Sequence, residues 1–196
     1  MIIKLLLLIL LFVFTLNALG QKRDTTYRAG YIYSDSIVYM LNAPQGWVFD
    51  NKSGLAQDLP AVFYPKKSSF ETAATIMYSN YMMVGKKGLY KSLQKVIEKD
   101  SLQHKENSPA TLITKLPSII ISKRQKTVAA LINYKNSGNP TTEELTAYIL
   151  YNNRVVIITM SAPNNAAYEA NKFDFYALLK SFVYISDYPK KSYGSR

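Results

Sequence analysis

The stretch LTAYILYNNRVVIITM, residues 145–160, decides the fold. It reads as two strands, 145–151 and 154–160, around the tip Asn152-Asn153, because asparagine tolerates the positive φ that a two-residue hairpin turn demands. The second strand is apolar on both faces from Val155 to Met160, whereas a sheet with one wet face alternates. Such a strand needs cover above and below. Two helices and the long connection 42–60 are expected to supply it. The expected class is therefore α+β: a mainly antiparallel sheet with helices packed on its faces, an α-β-α sandwich.

Working outward, β-branched and aromatic runs bounded by turn formers mark further strands at 37–41, 61–64 and 73–78. Two more, 118–122 and 127–134, flank the polar turn 123–126. Leu89, Leu93, Val96 and Ile97 fall at i, i+4, i+7 and i+8, one apolar helical stripe, with Lys91, Lys95, Lys99 and Glu98 opposite. A second helix is expected from about 165 to 184, with Phe175, Leu178, Leu179 and Phe182 on one face. Asn164 or Asn165 is its natural N-cap.

The chain ends set the expected layout. Lys4 is the only charge before the apolar run 5–16, and Ala18-Leu19-Gly20 supplies a small-x-small exit. Together these read as a secretory signal peptide cleaved near Gly20. The run is short of the roughly 20 residues a spanning helix needs. The layout expected is a signal peptide at 1–20, a loose mature N-terminus at 21–30, one domain at 31–186 and a basic tail at 187–196. The product is expected in the periplasm or outside the cell, soluble after cleavage. With no cysteine, disulfides and thiolate chemistry are excluded. The formal charge of +11 speaks to encounter and solubility rather than fold. For an exported chain the available anions are lipid headgroups and acidic glycans, so no nucleic acid partner is expected.

Chemistry-bearing constellations are sparse. His104 is the only histidine and falls at the polar end of the first helix, where an exposed side chain is expected. No G-x-S-x-G, S-x-x-K or H-E-x-x-H motif occurs. No catalytic, metal or cofactor set is expected. A carboxylate-dependent envelope hydrolase would need two acids facing one another across a sugar, and nothing in the spacing of Asp35, Asp50, Asp58 and Glu71 pairs them. Glu143 and Glu144 are adjacent on a strand and should face opposite ways. Between Glu106 and Glu143 there is no acid, while Lys115, Lys123, Arg124, Lys126 and Lys135 all fall there. Lys91, Lys95 and Lys99 would share one helix face and attract anionic lipid or glycan. Tyr78, Tyr81 and Met82, in the run MYSNYMM, are candidate lining for a small apolar or glycan ligand carried in the periplasm.

One further stretch, NAPQGWVFDNKSGLAQDLPAVFYP at 42–65, holds the only tryptophan. A small strand, Pro44-x-Gly46-Trp47, an acidic Gly-containing turn at 50–54, then Ala61-Val62-Phe63-Tyr64-Pro65 resembles the PsbP-like family of α-β-α sandwich domains. More narrowly, it is similar to that family's small exported bacterial members. The resemblance implies a non-enzymatic accessory or binding protein without a cofactor. Its partner would be another envelope protein, met through loops and the basic face. Gly46 is expected to permit a turn that a side chain would obstruct. Trp47 is expected to pack over a sheet end, its indole N–H on a backbone acceptor. Trp47 and Asp50 are the candidate contacts of this corner should it also clamp a ligand.

Overall fold

The computed structural model describes residues 29–34, 37–85 and 88–187. The expected signal peptide, residues 21–28 and the tail from 188 onward lie outside the described residues. Among these residues ten strands and two α-helices follow in order, with a short 3-10 turn at Leu55–Gln57. They are β1 (Ala29–Tyr33), β2 (Ile37–Asn42), β3 (Trp47–Asp50), β4 (Ala61–Pro65), β5 (Ile76–Met83), α1 (Leu93–Asn107) and β6 (Leu112–Ser122). Then come β7 (Thr127–Lys135), β8 (Glu143–Tyr151), β9 (Arg154–Ala162), α2 (Asn165–Lys180) and β10 (Val183–Asp187).

Seven strands form one sheet in the order β3-β4-β5-β9-β8-β7-β6, and three form another, β1-β2-β10. Every strand pairing is antiparallel. The doubly apolar strand β9 sits fourth of seven, where both faces need cover. Its hairpin with β8 closes Tyr151 against Arg154, and Asn152 takes the left-handed φ of 53° that this turn requires.

Alternation along the strands feeds two cores. On one face, Met77, Leu131, Leu145, Val156 and Ile158 pack against Phe175, Leu178 and Leu179 of α2 and against Ile37, Tyr39 and Leu41 of β2. Full burial of side chains of this size contributes roughly 1.5–3 kcal/mol apiece. On the other face, Ile132, Tyr134, Tyr148 and Val155 pack beneath Val96 of α1, with Leu93 and Ile97 partly buried beside it. The three layers are thus α1, the seven-stranded sheet, and a mixed layer of α2 with the small sheet.

Several boundaries differ from the sequence reading, each for a local reason. Ser92 caps α1, its hydroxyl accepting from the Lys95 N–H, so Leu89 precedes the helix and is 90% exposed. Asn164 caps α2 through the Ala167 N–H. That helix stops at Lys180 rather than 184, because residues 183–187 pair with β2 as β10. Phe182 nevertheless stays in the core, its ring 5.8 Å from that of Tyr39. The connection 42–60 is not plain loop, since it contains β3. β1 starts at Ala29, inside the segment expected to be loose. β5 runs 76–83 rather than 73–78, and β6 begins at Leu112 rather than 118.

Candidate functional site

The corner begins at Gly46, whose φ of +85° meets no obstruction, since an added Cβ would have nothing within 4 Å. Backbone conformation, not crowding, is therefore what asks for glycine there. Trp47 follows at the start of β3 and is 4% exposed. Its Nε1–H donates to Asp174 Oδ2 of α2 at 3.0 Å, a side-chain carboxylate in place of the expected backbone acceptor. At the far end of β3, Asp50 is saturated. It accepts from the Lys52 N–H (2.7 Å), the Ser53 N–H (3.0 Å), the Ser53 hydroxyl (2.6 Å) and the Tyr64 hydroxyl (3.0 Å). Burial pushes its carboxyl pKa up, but these hydrogen bonds outweigh burial and hold it below the ordinary value. Burial and the Asp50 carboxylate together raise the Tyr64 phenol to about 12.

Between β1 and β3 lies a cleft of about 590 Å³ whose walls include Ala29, Tyr31, Phe49, Asn51, Lys52 and Tyr64. Its two sides are the terminal strands of the two sheets. In an antiparallel ladder a terminal strand bonds its neighbour on one side only, so half of its backbone groups face outward. Gly30 lets the two strands approach: a Cβ there would fall 2.0 Å from the Phe49 ring. The cleft thus offers backbone donors and acceptors, two phenols and the Lys52 ammonium.

The acids and the histidine gather elsewhere, under α1. Asp100 and His104 stand one helical turn apart and face the sheet. The His104 ring stacks on Tyr134, centroids 3.9 Å apart. Its Nδ1 shares a 2.7 Å hydrogen bond with the Ser137 hydroxyl. Nε2 lies 3.7 Å from Glu144 Oε2 and 4.0 Å from Asp100 Oδ1. Tyr148 donates to Asp100 and meets the Tyr134 hydroxyl at 2.8 Å, while Ser161 donates to Glu144 Oε1 at 3.0 Å. Burial raises the Glu144 carboxyl, opposed by the charge of His104. The expectation of an exposed histidine is corrected, since its side chain is 18% exposed. Glu143 does face the other way, accepting from Asn133 and Asn165. A serine on a histidine beside two acids has the membership of a catalytic set. Here Ser137 is buried within the seam itself, so the arrangement fastens α1 to the sheet.

The other expected contacts are dispersed. MYSNYMM lies inside β5 rather than at a strand exit, and the pleat splits it. Tyr81 packs with the α2-side core and Met82 with the α1-side core. Tyr78 shares the face of Met82, where burial and the Glu144 charge push its phenol up. The three therefore line no common pocket. Lys91 precedes the helix cap, and Lys95 pairs with Glu98 at 2.6 Å. The three-lysine helical row is thus reduced to Lys95 and Lys99, with one of the two neutralised. The α1 seam left a faint signal in sequence: Asp100 and His104 at i, i+4, above strands bearing Tyr134, Glu144 and Tyr148 at alternate positions.

No family model matches the sequence, and neither does any curated protein. Solved structures do. Cyanobacterial PsbP (CyanoP) from Synechocystis sp. PCC 6803 matches with a TM-score of 0.54 at 12% identity, over 85% of this chain and 96% of that one. The chain has the PsbP-like fold. The Ran-binding protein Mog1p of Saccharomyces cerevisiae is also similar, with a TM-score of 0.49 at 16% identity over 80% of this chain and 94% of that one. At such identities the likeness concerns the fold alone, and the roles in those names belong to those proteins.

Proposed function

We propose that this is an exported, non-enzymatic binding or accessory protein of the bacterial cell envelope, holding its partner in the cleft between β1 and β3. The cleft carries this reading. It is bordered by two strand edges and two phenols, and Asp50, the carboxylate in its wall, is fully engaged in holding its own turn. The PsbP-like fold is in keeping with an accessory role, and residues 1–20 have the make-up of an export signal. Strand edges favour an extended segment of another protein as occupant. The volume favours a second reading, a carrier of a small apolar or glycan ligand, because about 590 Å³ lies within the 300–1,000 Å³ usual for such sites. A carboxylate-dependent hydrolase draws no support from the seam, where Asp100 and Glu144 converge on a histidine beneath a helix instead of across a cleft.

Native mass spectrometry on protein released gently from its own envelope tests the proposal. A protein-sized adduct that Tyr31→Ala weakens is the expected result, and an adduct of a few hundred daltons would transfer the cleft to the carrier reading. A bare chain, or recovery only from the cytoplasm, contradicts the proposal.

A further inference from the structure

At the opposite end of the seven-stranded sheet, β6 is a terminal strand of 11 residues, pairing with β7 alone among the described residues. Most of it is exposed, and its exposed positions are unusually apolar: Leu112 is 58% exposed, with Ile113 and Ile120 exposed beside it. Strand edges of this length invite further pairing. The guards present are Lys115 and Pro117, the latter inside the register break between Leu116 and Ile119. Pro117 interrupts the edge but leaves 112–116 as an unbroken run.

Each face of this edge carries an apolar groove. Toward α1, a hollow of about 380 Å³ is lined by Ile97, Leu102, Ile113, Glu98 and Lys105. Toward α2, one of about 370 Å³ is lined by Ile119, Phe173, Tyr176 and Lys180, and Phe173 is 74% exposed. Successive side chains of a strand point to opposite faces. A strand added beside 112–116 would therefore drop alternate side chains into the α1 groove at Ile113, whereas the α2 groove lies further along the edge, at Ile119 beyond Pro117.

Charge selects the occupant. No acid occurs between Glu106 and Glu143, while Lys115, Lys123, Arg124 and Lys126 lie along or just beyond β6. Lys105 and Lys180 sit in the two grooves, with Glu98 the acid lining the first. A second copy of the chain would bring the same lysines to this edge, and like charges set opposite one another destabilise a strand pair. We infer that the β6 edge is a strand-addition site for an extended segment of a partner protein, apolar at alternate positions and bounded by aspartate or glutamate. The segment completes the sheet as an eighth strand along 112–116. Backbone hydrogen bonds supply affinity and the α1 groove supplies sequence preference. This site is separate from the β1–β3 cleft and does not depend on it.

Panning a phage-displayed library of random peptides against the purified protein at low salt tests the inference. Enriched sequences should carry an apolar β-branched or aromatic run flanked by acids. A capped synthetic peptide of the enriched sequence should slow amide exchange within 112–116 by about tenfold or more, and N-methylation of alternate peptide residues should abolish that protection. Ile113→Glu and Leu102→Ser, both at exposed positions, should each weaken the peptide about tenfold, equivalent to about 1.4 kcal/mol. No enrichment, enrichment of basic or wholly polar peptides, or protection away from β6 would overturn the site. So would dimerisation of the protein that Ile113→Glu abolishes, since it would make a second copy the occupant.

Discussion

The Trp47 indole ties the first residue of β3 to α2 through Asp174, across 127 residues of chain. Trp47→Phe keeps most of the ring but leaves the carboxylate without its donor. A loss of about 1.5–3 kcal/mol, the range for hydrogen bonds to charged groups, is expected in urea denaturation. Trp47→Ala should cost about 3–5 kcal/mol, as for other large aromatic truncations. Equal losses for the two variants would show that only packing matters. Gly30 makes a sharper case, because its missing side chain is what lets β1 lie against the Phe49 ring. Gly30→Ala should lower the melting temperature by several degrees. Phe49→Leu in the same chain should recover part of that loss, although alone it is destabilising. Simple additivity of the two substitutions would contradict the contact, since neighbours that clash must couple.

Of the two helices, α1 is held by the fewer large apolar groups, with Val96 its only buried residue against four in α2, and it relies on the seam around His104. The acid-base groups facing Glu144 are His104 and Asp100 from α1, and Tyr78 and Tyr134 from the sheet. Burial raises the Glu144 carboxyl above its ordinary 4.5, so the folded chain binds that proton more tightly than the unfolded chain does. This contribution to stability is complete below pH 4.5 and is lost as pH rises through the raised value. Glu144→Gln removes the titration while keeping an acceptor for Ser161. Its stability relative to the parent should therefore improve steadily as pH is taken from 4 to 8 in thermal melts. A difference independent of pH would refute the burial account. Element boundaries also show what was legible beforehand. The β8–β9 hairpin could be read because its tip and its doubly apolar strand are both local signals. β10 was hidden: Phe175, Leu178, Leu179 and Phe182 keep helical spacing up to the point where β2 captures the chain. The first half of β6 was masked by Lys115 and Pro117, which a terminal strand tolerates and a central one would not. The seam is not legible in the sequence because its members come from one helix, three strands and the β7–β8 connection, and only the fold brings them together.

For the whole molecule, the division into a seven-stranded sheet and a separate three-stranded one creates the feature on which the functional account rests. An edge of each is left facing the same cleft, walled at the Asp50 end of β3, the strand that begins at the Gly46-Trp47 corner. The corner was recognisable from its residues, and the PsbP-like fold was foreseen from it. The cleft was not, because neither 29–33 nor 47–50 stands out as a strand in the sequence. Amide hydrogen exchange on the protein as isolated from the envelope, compared with the same protein after its partner has been stripped away, tests the central claim most directly. The account predicts that stripping speeds exchange in 29–31 and 48–53, the two sides of the cleft, and leaves β7, β8 and β9 unchanged. Unaltered exchange at both sides of the cleft, with a bound partner demonstrably removed, would contradict it.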